Sequence, residues 1–254
     1  MRKVSVVVRT RDEESGFERL MKNLAMQTIQ PSELVLVDNY STEEKLRDLR
    51  RKTNAELRLF HEDCKFLLVP ISDSEFSHAS STNVGVKNAT NELICMTNAH
   101  SLPVSLHWLQ DGLKHFEDPK VAGVSGFFIP HQKDTFGKWI TPMYYFSERK
   151  VLRQNWLSTI NCIIRKSLWE TYPFNESLPK IIPETKRYGL EDYDWSIEMM
   201  ARGFRIIIDP SFSVFHSHEE GFKEMMRHTK NFFVFRRIQE KVKVARRKER
   251  FSRC

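Results

Sequence analysis

The stretch Ile94-Cys-Met-Thr-Asn-Ala-His-Ser-Leu-Pro103 contains the strand on which the predicted fold is centred. It begins as a short apolar run, turns polar at Thr97, Asn98 and His100, and ends at a proline. In open α/β sheets, ligands bind in the crevice beyond the carboxyl ends of the strands. The stretch therefore predicts a buried strand that carries polar side chains, including one candidate metal ligand, to a binding site.

Strand and helix patterns alternate through the first half of the chain. Apolar, β-branched runs predict strands over 3–9, 33–37, 57–60, 66–69 and 92–96. Apolar residues at helical spacing predict helices over 17–27, 43–51, 78–89 and 106–116. This order predicts an α/β fold with right-handed crossovers and a mostly parallel, Rossmann-like sheet flanked by helices.

The pattern changes after residue 120. Strands are predicted over 121–129, 158–164, 204–208 and 213–216, and helices over 167–172 and 191–201. Long irregular segments are predicted over 130–151 and 173–189. We therefore expect one domain over 1–220, with a nucleotide-binding half (1–120) and an acceptor-binding half (121–220). A basic amphipathic helical tail follows over 221–254.

The composition is that of an ordinary globular chain of 254 residues, with 40% hydrophobic and 29% charged residues. The four cysteines show no metal-type spacing, and Cys95 and Cys162 lie inside apolar runs, which predicts free thiols in a reducing compartment. No apolar run approaches the roughly 20 residues that span a bilayer. The first residues lack a signal-peptide pattern. These features predict a cytoplasmic protein.

The formal net charge of +7 is concentrated between Lys223 and Arg253. Phenylalanines interrupt the basic residues, and Phe232, Phe233 and Phe235 form one cluster. Such a helix could lie on a membrane surface, bind nucleic acid, or dock on the domain with a solvated basic face. Because the phenylalanines cluster instead of forming a regular stacking platform, we favour membrane contact or packing and expect no nucleic-acid partner.

Polar residues follow three of the predicted strands. Arg9, Thr10, Asp12 and Glu13 lie at the end of the strand over 3–9 or just after it. Asp38 and Asn39 follow the strand over 33–37, and Asn98 and His100 follow the strand over 92–96. In a parallel sheet these three groups meet at one edge. Carboxylates there can accept hydrogen bonds from a base or a ribose. The alternative for Asp38 is a turn role only, beside the helix cap at Ser41.

Glu191 and Asp192 open a predicted helix, with Asp194 close behind. Acidic residues at a helix start interact favourably with the helix dipole, so a capping role is one interpretation. The other is a carboxylate that acts as general base on an incoming hydroxyl. In that case the proline-rich segment before the helix would shape the acceptor site.

His216 and His218 end the last predicted strand. At strand spacing their two imidazoles point to the same face. Together with His100 they could hold a divalent cation. The alternative is structural hydrogen bonding at the end of the strand.

Several of these segments, taken together, resemble family 2 inverting glycosyltransferases of the GT-A fold. The segments that carry the resemblance are Val4–Glu14, Leu24–Pro31, Glu33–Thr42, Phe76–His78, Asn83–Gly85, Asn91–Ile94, Val121–Pro130, Asn161–Arg165, Glu191-Asp192 and His216–His218. The resemblance covers roughly residues 3–220. It is closest in character to bacterial rhamnosyltransferase-like enzymes of surface-polysaccharide synthesis.

The resemblance implies a nucleoside-diphosphate sugar as donor and a glycan or lipid-linked acceptor, with possible peripheral contact to the inner face of a membrane. The implied donor site consists of Thr10, Arg11, Glu13, Asp38, Asn39, Asn83 and Asn98. Asp192, with Glu191 beside it, would be the catalytic base of a single-displacement, inverting transfer.

The sequence departs from the family pattern at Asn98-Ala99-His100. The family normally has Asp-x-Asp there, which holds Mg²⁺ or Mn²⁺ against the diphosphate. Hard cations prefer carboxylate oxygens, and histidine suits transition metals. Either His100 and a strand-end histidine (His216 or His218) bind Mn²⁺, or lysine and arginine side chains neutralise the diphosphate.

Two alternative functions follow from the same residues. Loss of Asp-x-Asp would also suit a non-catalytic nucleotide-sugar-binding homologue. The basic tail would suit a nucleic-acid-binding protein.

Overall fold

The computed structural model describes residues 3–12, 16–129, 152–153, 156–216 and 222–251. The strands in chain order are β1 (Val4–Thr10), β2 (Glu33–Asn39), β3 (Lys65–Ile71), β4 (Leu93–Asn98), β5 (Leu102–Pro103), β6 (Val121–Ser125), β7 (Phe128–Ile129), β8 (Leu152–Arg153), β9 (Asn161–Arg165), β10 (Arg205–Ile208) and β11 (Val214–Phe215). Eight of them form one sheet in the order β3-β2-β1-β4-β9-β6-β10-β8, and β5, β11 and β7 form a smaller sheet.

The large sheet is mostly parallel, as predicted. β3, β2, β1 and β4 run parallel, β9 is antiparallel to both of its neighbours, and β10 pairs parallel with β6 and antiparallel with β8. The register places Thr10 beside Asp38 and Arg9 beside Asn98. The polar ends of β1, β2 and β4 therefore meet at one edge of the sheet.

Helices pack on both faces of this sheet. They are α1 (Phe17–Ala25), α2 (Glu43–Glu56), α3 (His78–Asn88), α4 (Trp108–Leu113), α5 (Lys166–Thr171), α6 (Leu178–Ile181), α7 (Thr185–Tyr188), α8 (Glu191–Ala201) and α9 (Phe222–Phe251). Side chains alternate along β1: Val6 and Val8 join the core under α1, α2 and α4, while Val7 joins the core under α3, α5 and α8. The α/β class and the flanking helices are confirmed.

Two predicted elements were wrong. Residues 57–60 form no strand, because Leu57–Leu59 is a short 3-10 turn that continues α2, and Leu59 is exposed. The segment 173–189 is not one irregular loop, since it contains α6 and α7. Its proline content misled the prediction, because a proline is tolerated in the first turn of a helix, and α6 has one there.

The C-terminal helix α9 packs against the domain. Ile238 and Val242 are buried together with Leu190 and Tyr193, and Arg246 is buried against Asp194. The side chains of Phe232 and Phe233 lie outside the described residues. For the residues of α9 whose side chains are described, the structure matches the docked-helix alternative, in which apolar groups face the domain.

Two expectations from composition can be compared directly with the structure. Cys95 and Cys162 are buried free thiols, as predicted, and Cys64 is also free. Within the described ranges, no helix combines the length and apolar character that crossing a bilayer requires.

Candidate active site

A cavity of about 470 Å³ opens where β1 and β4 end, beside the first turn of α8. The two strands contribute Arg9, Thr10 and Asn98, and the helix contributes Glu191 and Asp192. Aromatic side chains from other segments complete much of the wall: Phe76, Phe128, Trp156, Tyr188 and Phe235. The cavity lies at the edge of the sheet where the sequence predicted a binding site, and its size suits a small organic ligand.

Arg9 joins three elements of this wall. Its Nη1 donates to Oγ1 of Thr82 at 3.0 Å, and its Nη2 donates to Oδ1 of Asn98 at 3.0 Å. Nη2 also donates to the carbonyl oxygen of Thr159 at 3.2 Å. The guanidinium is therefore fixed between α3, β4 and the segment before β9. A fixed guanidinium in a cavity wall suits an anionic ligand.

Asp192 is the carboxylate that faces the cavity from α8. Its Oδ1 accepts from the backbone N–H of Tyr193 at 2.7 Å, and its Oδ2 accepts from that of Thr159 at 3.3 Å. Burial and, after it, the charge of Glu191 raise the pKa of Asp192 to about 7, although the two amides and Arg9 act in the opposite direction. At neutral pH this carboxyl can gain or lose a proton readily, as a general base must.

The turn into α8 has an unusual backbone. Gly189 has φ of +72° and Leu190 has φ of +81°, a region that is costly for leucine. Leu190 is buried in the same apolar cluster as Ile238 of α9. The backbone of Gly189, with φ of +72° and ψ of −117°, is one that residues with a Cβ rarely adopt, so this position favours glycine. The packed turn sets where α8 begins, and therefore which way Asp192 faces.

Most of the predicted site residues come together at this cavity. Those that line it are Thr10, Arg11, Asn98, His100, Glu191, Asp192 and His216. Glu13 and His218 lie outside the described residues. Burial raises the pKa of Glu191 as well, and the charge of Glu191 contributes to the raised pKa of Asp192.

Asp38 and Asn39 lie behind the cavity wall and not on its surface. Asp38 is fully buried at the end of β2, beside Thr10 on β1. Asn39 is 2% exposed, and its Nδ2 donates to the carbonyl of Ile71 at 3.3 Å. The strand ends meet as predicted, but these two side chains lie beneath the residues that line the cavity.

Asn83 is placed away from the cavity, contrary to the expectation that it belongs to a donor site. Its Nδ2 donates to the carbonyl of Phe174 at 2.8 Å and to Oε1 of Glu176 at 2.7 Å. Its Oδ1 accepts from Nε1 of Trp169 at 2.9 Å and from the N–H of Phe174 at 3.1 Å. Through these four hydrogen bonds, Asn83 links α3 to α5 and to the segment that follows α5.

Of the three histidines in the predicted cation site, His100 and His216 are described, and they do not point to a common position for a cation. The rings of His100 and His216 are stacked, with centroids 4.6 Å apart and an interplanar angle of 26°. An imidazole lone pair lies in the ring plane, so stacked rings direct their lone pairs side by side and not to one point. Nδ1 of His216 lies 2.9 Å from Oγ of Ser101, and Oδ1 of Asn98 accepts from Arg9. Among the described residues, no three His, Cys, Asp or Glu side chains group to hold a metal ion.

Four further residues line this cavity: Arg9, Trp156, Thr159 and Phe235. From the sequence, Arg9 was expected only as one of the polar residues at the end of the first strand, Phe235 was expected in membrane contact or packing, and Trp156 and Thr159 had no predicted role. Arg9 had a visible signal, because it is a cation placed between a buried strand and a polar loop. The other three belong to segments whose position depends on contacts with α8 and α9. No local pattern marks them as neighbours of Asp192.

The sequence matches Glycosyl transferase family 2 over residues 5–169. The match includes β1, β2 and β4, whose ends meet at the cavity. The chain belongs to this family. Asp192, on α8, lies beyond the matched range, so its role in this family 2 member depends on the structure. No curated protein sequence matches the chain.

Three solved structures share the fold of this family 2 chain. The mannosyltransferase PcManGT from Pyrobaculum calidifontis, in complex with GDP-Man and Mn²⁺, has a TM-score of 0.61 and 21% identity over 85% of this chain and 57% of its own. S. aureus TarS 1–349 with UDP-GlcNAc has a TM-score of 0.62 and 18% identity, over 86% and 59%. GalNAc-T7 with UDP, GalNAc and Mn²⁺ has a TM-score of 0.62 and 13% identity, over 85% and 44%.

These similarities confirm the predicted GT-A fold. The chain spans less than two thirds of each of the three proteins.

Proposed function

We propose that this protein transfers a sugar from a nucleoside-diphosphate donor to an acceptor hydroxyl, with inversion at the anomeric carbon and Asp192 as the base. The observation that carries the proposal is the position of Asp192 in the cavity together with its pKa, raised to about 7. Two proteins of the same fold contain GDP-Man or UDP-GlcNAc in their structures, which supports the donor class.

The donor is assigned to the part of the cavity at the ends of β1 and β4. Thr10, Arg11 and Asn98 lie there, and Asp38 is the register partner of Thr10 on the neighbouring strand. Arg9 and Arg11 both line this part of the cavity, and the guanidinium of Arg11 lies 3.5 Å from the carboxylate of Asp73. Guanidinium groups bind phosphate oxygens through paired hydrogen bonds, so this side suits the diphosphate.

The transfer would be a single displacement. The acceptor oxygen forms a bond to the anomeric carbon while the bond from that carbon to the diphosphate breaks, and the diphosphate leaves with the electron pair. A carboxylate oxygen of Asp192 takes the acceptor's proton. Because the acceptor enters opposite the leaving group, the configuration inverts. Stabilising the charge on the leaving group is the other large requirement, and we assign it to Arg9 and Arg11.

A divalent cation would supply the same stabilisation in a typical family member, and two of the similar structures contain Mn²⁺. The donor set described here does not fit such an ion, because Asn98 is bonded to Arg9 and the rings of His100 and His216 are stacked. The proposed transfer therefore relies on the arginines. We expect donor binding to persist in EDTA.

The decisive experiment is Asp192→Asn. Turnover should fall by a factor of about 10²–10⁴, the usual contribution of a general base, while donor affinity by calorimetry stays unchanged. Asp63→Asn is the matched control, since Asp63 is exposed and remote from the cavity. Unchanged turnover in Asp192→Asn would remove Asp192 as the base. Donor binding without any turnover in the unaltered protein would favour the non-catalytic homologue.

The donor class is tested by thermal shift with UDP-, dTDP- and GDP-sugars, each with Mn²⁺ and with EDTA. A bound donor stabilises the native state by RT ln(1 + [L]/Kd). We expect the sugars of one of the three nucleotides to raise the melting temperature of the protein. The increase should be the same with EDTA as with Mn²⁺. The rhamnosyltransferase-like subtype, a role in surface-polysaccharide synthesis and peripheral membrane contact stay predictions from the sequence. The cytoplasmic location stays a prediction from the composition.

A further inference from the structure

The C-terminal helix contributes to the cavity as well as to the core. Phe235 of α9 lines the cavity next to Trp156, and their ring centroids lie 5.9 Å apart at an angle of 52°. Both side chains are half-buried and pack against the cluster that contains Ile238 and Val242. The aromatic pair of Phe235, from α9, and Trp156, from the segment before β9, therefore shares one cavity with Asp192.

The segment that carries Trp156 is held in place relative to Asp192. The N–H of Leu157 donates to Oγ of Ser196 at 3.1 Å, and that hydroxyl donates to the carbonyl oxygen of Asp192 at 2.6 Å. Two residues further on, the N–H of Thr159 donates to the Asp192 carboxylate. The segment is tied to α8 at two points, so the indole has a defined position relative to the carboxylate.

The indole nitrogen of Trp156 is an unpaired polar atom within this aromatic pair. Nε1 is buried and has no hydrogen-bond partner among the described residues. Leaving a buried donor unpaired is costly, and a hydroxyl group of a ligand would remove that cost. The faces of aromatic rings carry partial negative charge, which attracts the C–H groups of a sugar ring.

We propose that Trp156 and Phe235 form the acceptor subsite, and that the acceptor is a carbohydrate. This inference rests on the proposed function. A pyranose ring stacked on these side chains offers one hydroxyl to the indole N–H and another to Asp192. An acyl chain would cover the rings but leave the N–H unpaired. Such a chain, or a peptide hydroxyl, is the alternative that the experiment separates.

The test measures binding of defined probes by saturation-transfer NMR and calorimetry. The probes are the methyl glycosides of glucose, galactose, mannose, rhamnose and N-acetylglucosamine, with octanol and a serine-containing tripeptide for comparison. We expect at least one glycoside to bind and neither comparison probe to do so. Trp156→Ala and Phe235→Ala should each weaken glycoside binding about tenfold. Trp156→Phe, which keeps most of the packing but loses the N–H, should weaken it about fivefold.

Val234→Ala is the matched control, because Val234 precedes Phe235 on the same helix and is exposed. It should change glycoside affinity less than twofold. The proposal is overturned if no glycoside binds, if octanol or the peptide binds instead, or if Trp156→Phe and Phe235→Ala leave glycoside affinity unchanged. UDP, GDP and dTDP binding is measured in parallel. Failure of all three nucleotides to bind would contradict the proposed donor, whereas nucleotide binding without glycoside binding overturns the acceptor subsite alone.

Discussion

Asp192 and Asp194 lie two residues apart at the start of α8, and they face different parts of the molecule. Asp192 faces the cavity and accepts from two backbone amides. Asp194 is 1% exposed and faces α9, where Nη2 of Arg246 lies 2.6 Å from each of its oxygens. The hydroxyl of Tyr172 donates to the same carboxylate at 2.6 Å.

The difference shows how one helix end can supply both a structural and a reactive carboxylate. Residues two apart on a helix point to different faces, so the same turn serves the cavity and the docking of α9. The carboxylate of Asp194 is engaged by a guanidinium and a phenol, and it fastens α9 to the domain. Asp192 accepts hydrogen bonds from neutral amides. Its pKa, which burial raises to about 7, lets it gain or lose a proton near neutral pH.

Removing the guanidinium of Arg246, which joins α9 to Asp194, should have the largest effect on stability. Arg246→Met leaves the Asp194 carboxylate buried without its partner, which costs about 3–5 kcal/mol of the free energy of unfolding. Chemical denaturation measures this loss. Arg247→Met, at the exposed neighbouring position, should change stability by less than about 0.5 kcal/mol. Equal effects of the two variants would contradict a structural role for Asp194.

Asp192→Asn should make the protein more stable at pH 8. The pKa of Asp192 in the folded state, about 7, is above its ordinary value, so the folded state binds this proton more tightly than the unfolded state. Ionised Asp192 therefore lowers stability as pH rises towards 7. We expect a gain of about 1–3 kcal/mol at pH 8, reduced by exposure to the cavity, and none at pH 3. Denaturation at both pH values checks this, and a loss at pH 8 would contradict it.

Tyr172→Phe tests the second partner of Asp194. The ring stays under the guanidinium of Arg246, whose Cζ lies 4.8 Å from the ring centroid, but the hydroxyl donor to Asp194 is lost. Losing a hydrogen bond to a charged group costs about 1–2 kcal/mol. Thermal or chemical denaturation measures it, with Tyr40→Phe as control. No loss relative to that control would leave Arg246 as the partner that matters.

The smallest effect concerns the pH dependence of turnover. If Asp192 is the base, kcat/KM should rise with pH through about 7 as Asp192 loses its proton. The charge of Glu191 raises the pKa of Asp192, so Glu191→Gln should move this rise to lower pH. Rates between pH 5 and 9 test the shift, with exposed Glu62→Gln as control. A rise that stays in place, or moves to higher pH, would show that the two acids are not coupled.

Much of the fold could be predicted from the sequence because its signals are local. The β-branched runs of β1, β2 and β4 predicted buried strands, and the polar residues that follow them predicted the edge where Thr10, Asp38 and Asn98 meet. Local sequence patterns did not predict the role of a residue whose partners come from a distant segment of the chain. Asn83 has the composition of a site residue, yet partners about 90 residues away hold it in a structural role.

The amino-acid sequence by itself determined the alternation of strands and helices, the polar strand ends and the two acids that open α8. Each of these follows from neighbouring residues along the chain. Only the tertiary structure decided that Asp192 faces a cavity while Asp194 binds Arg246, 52 residues further along the chain. It also decided that the basic helix supplies Phe235 to the cavity wall. The physical reason is that burial and pairing set the chemistry of a carboxylate, and both depend on segments that meet only when the chain folds.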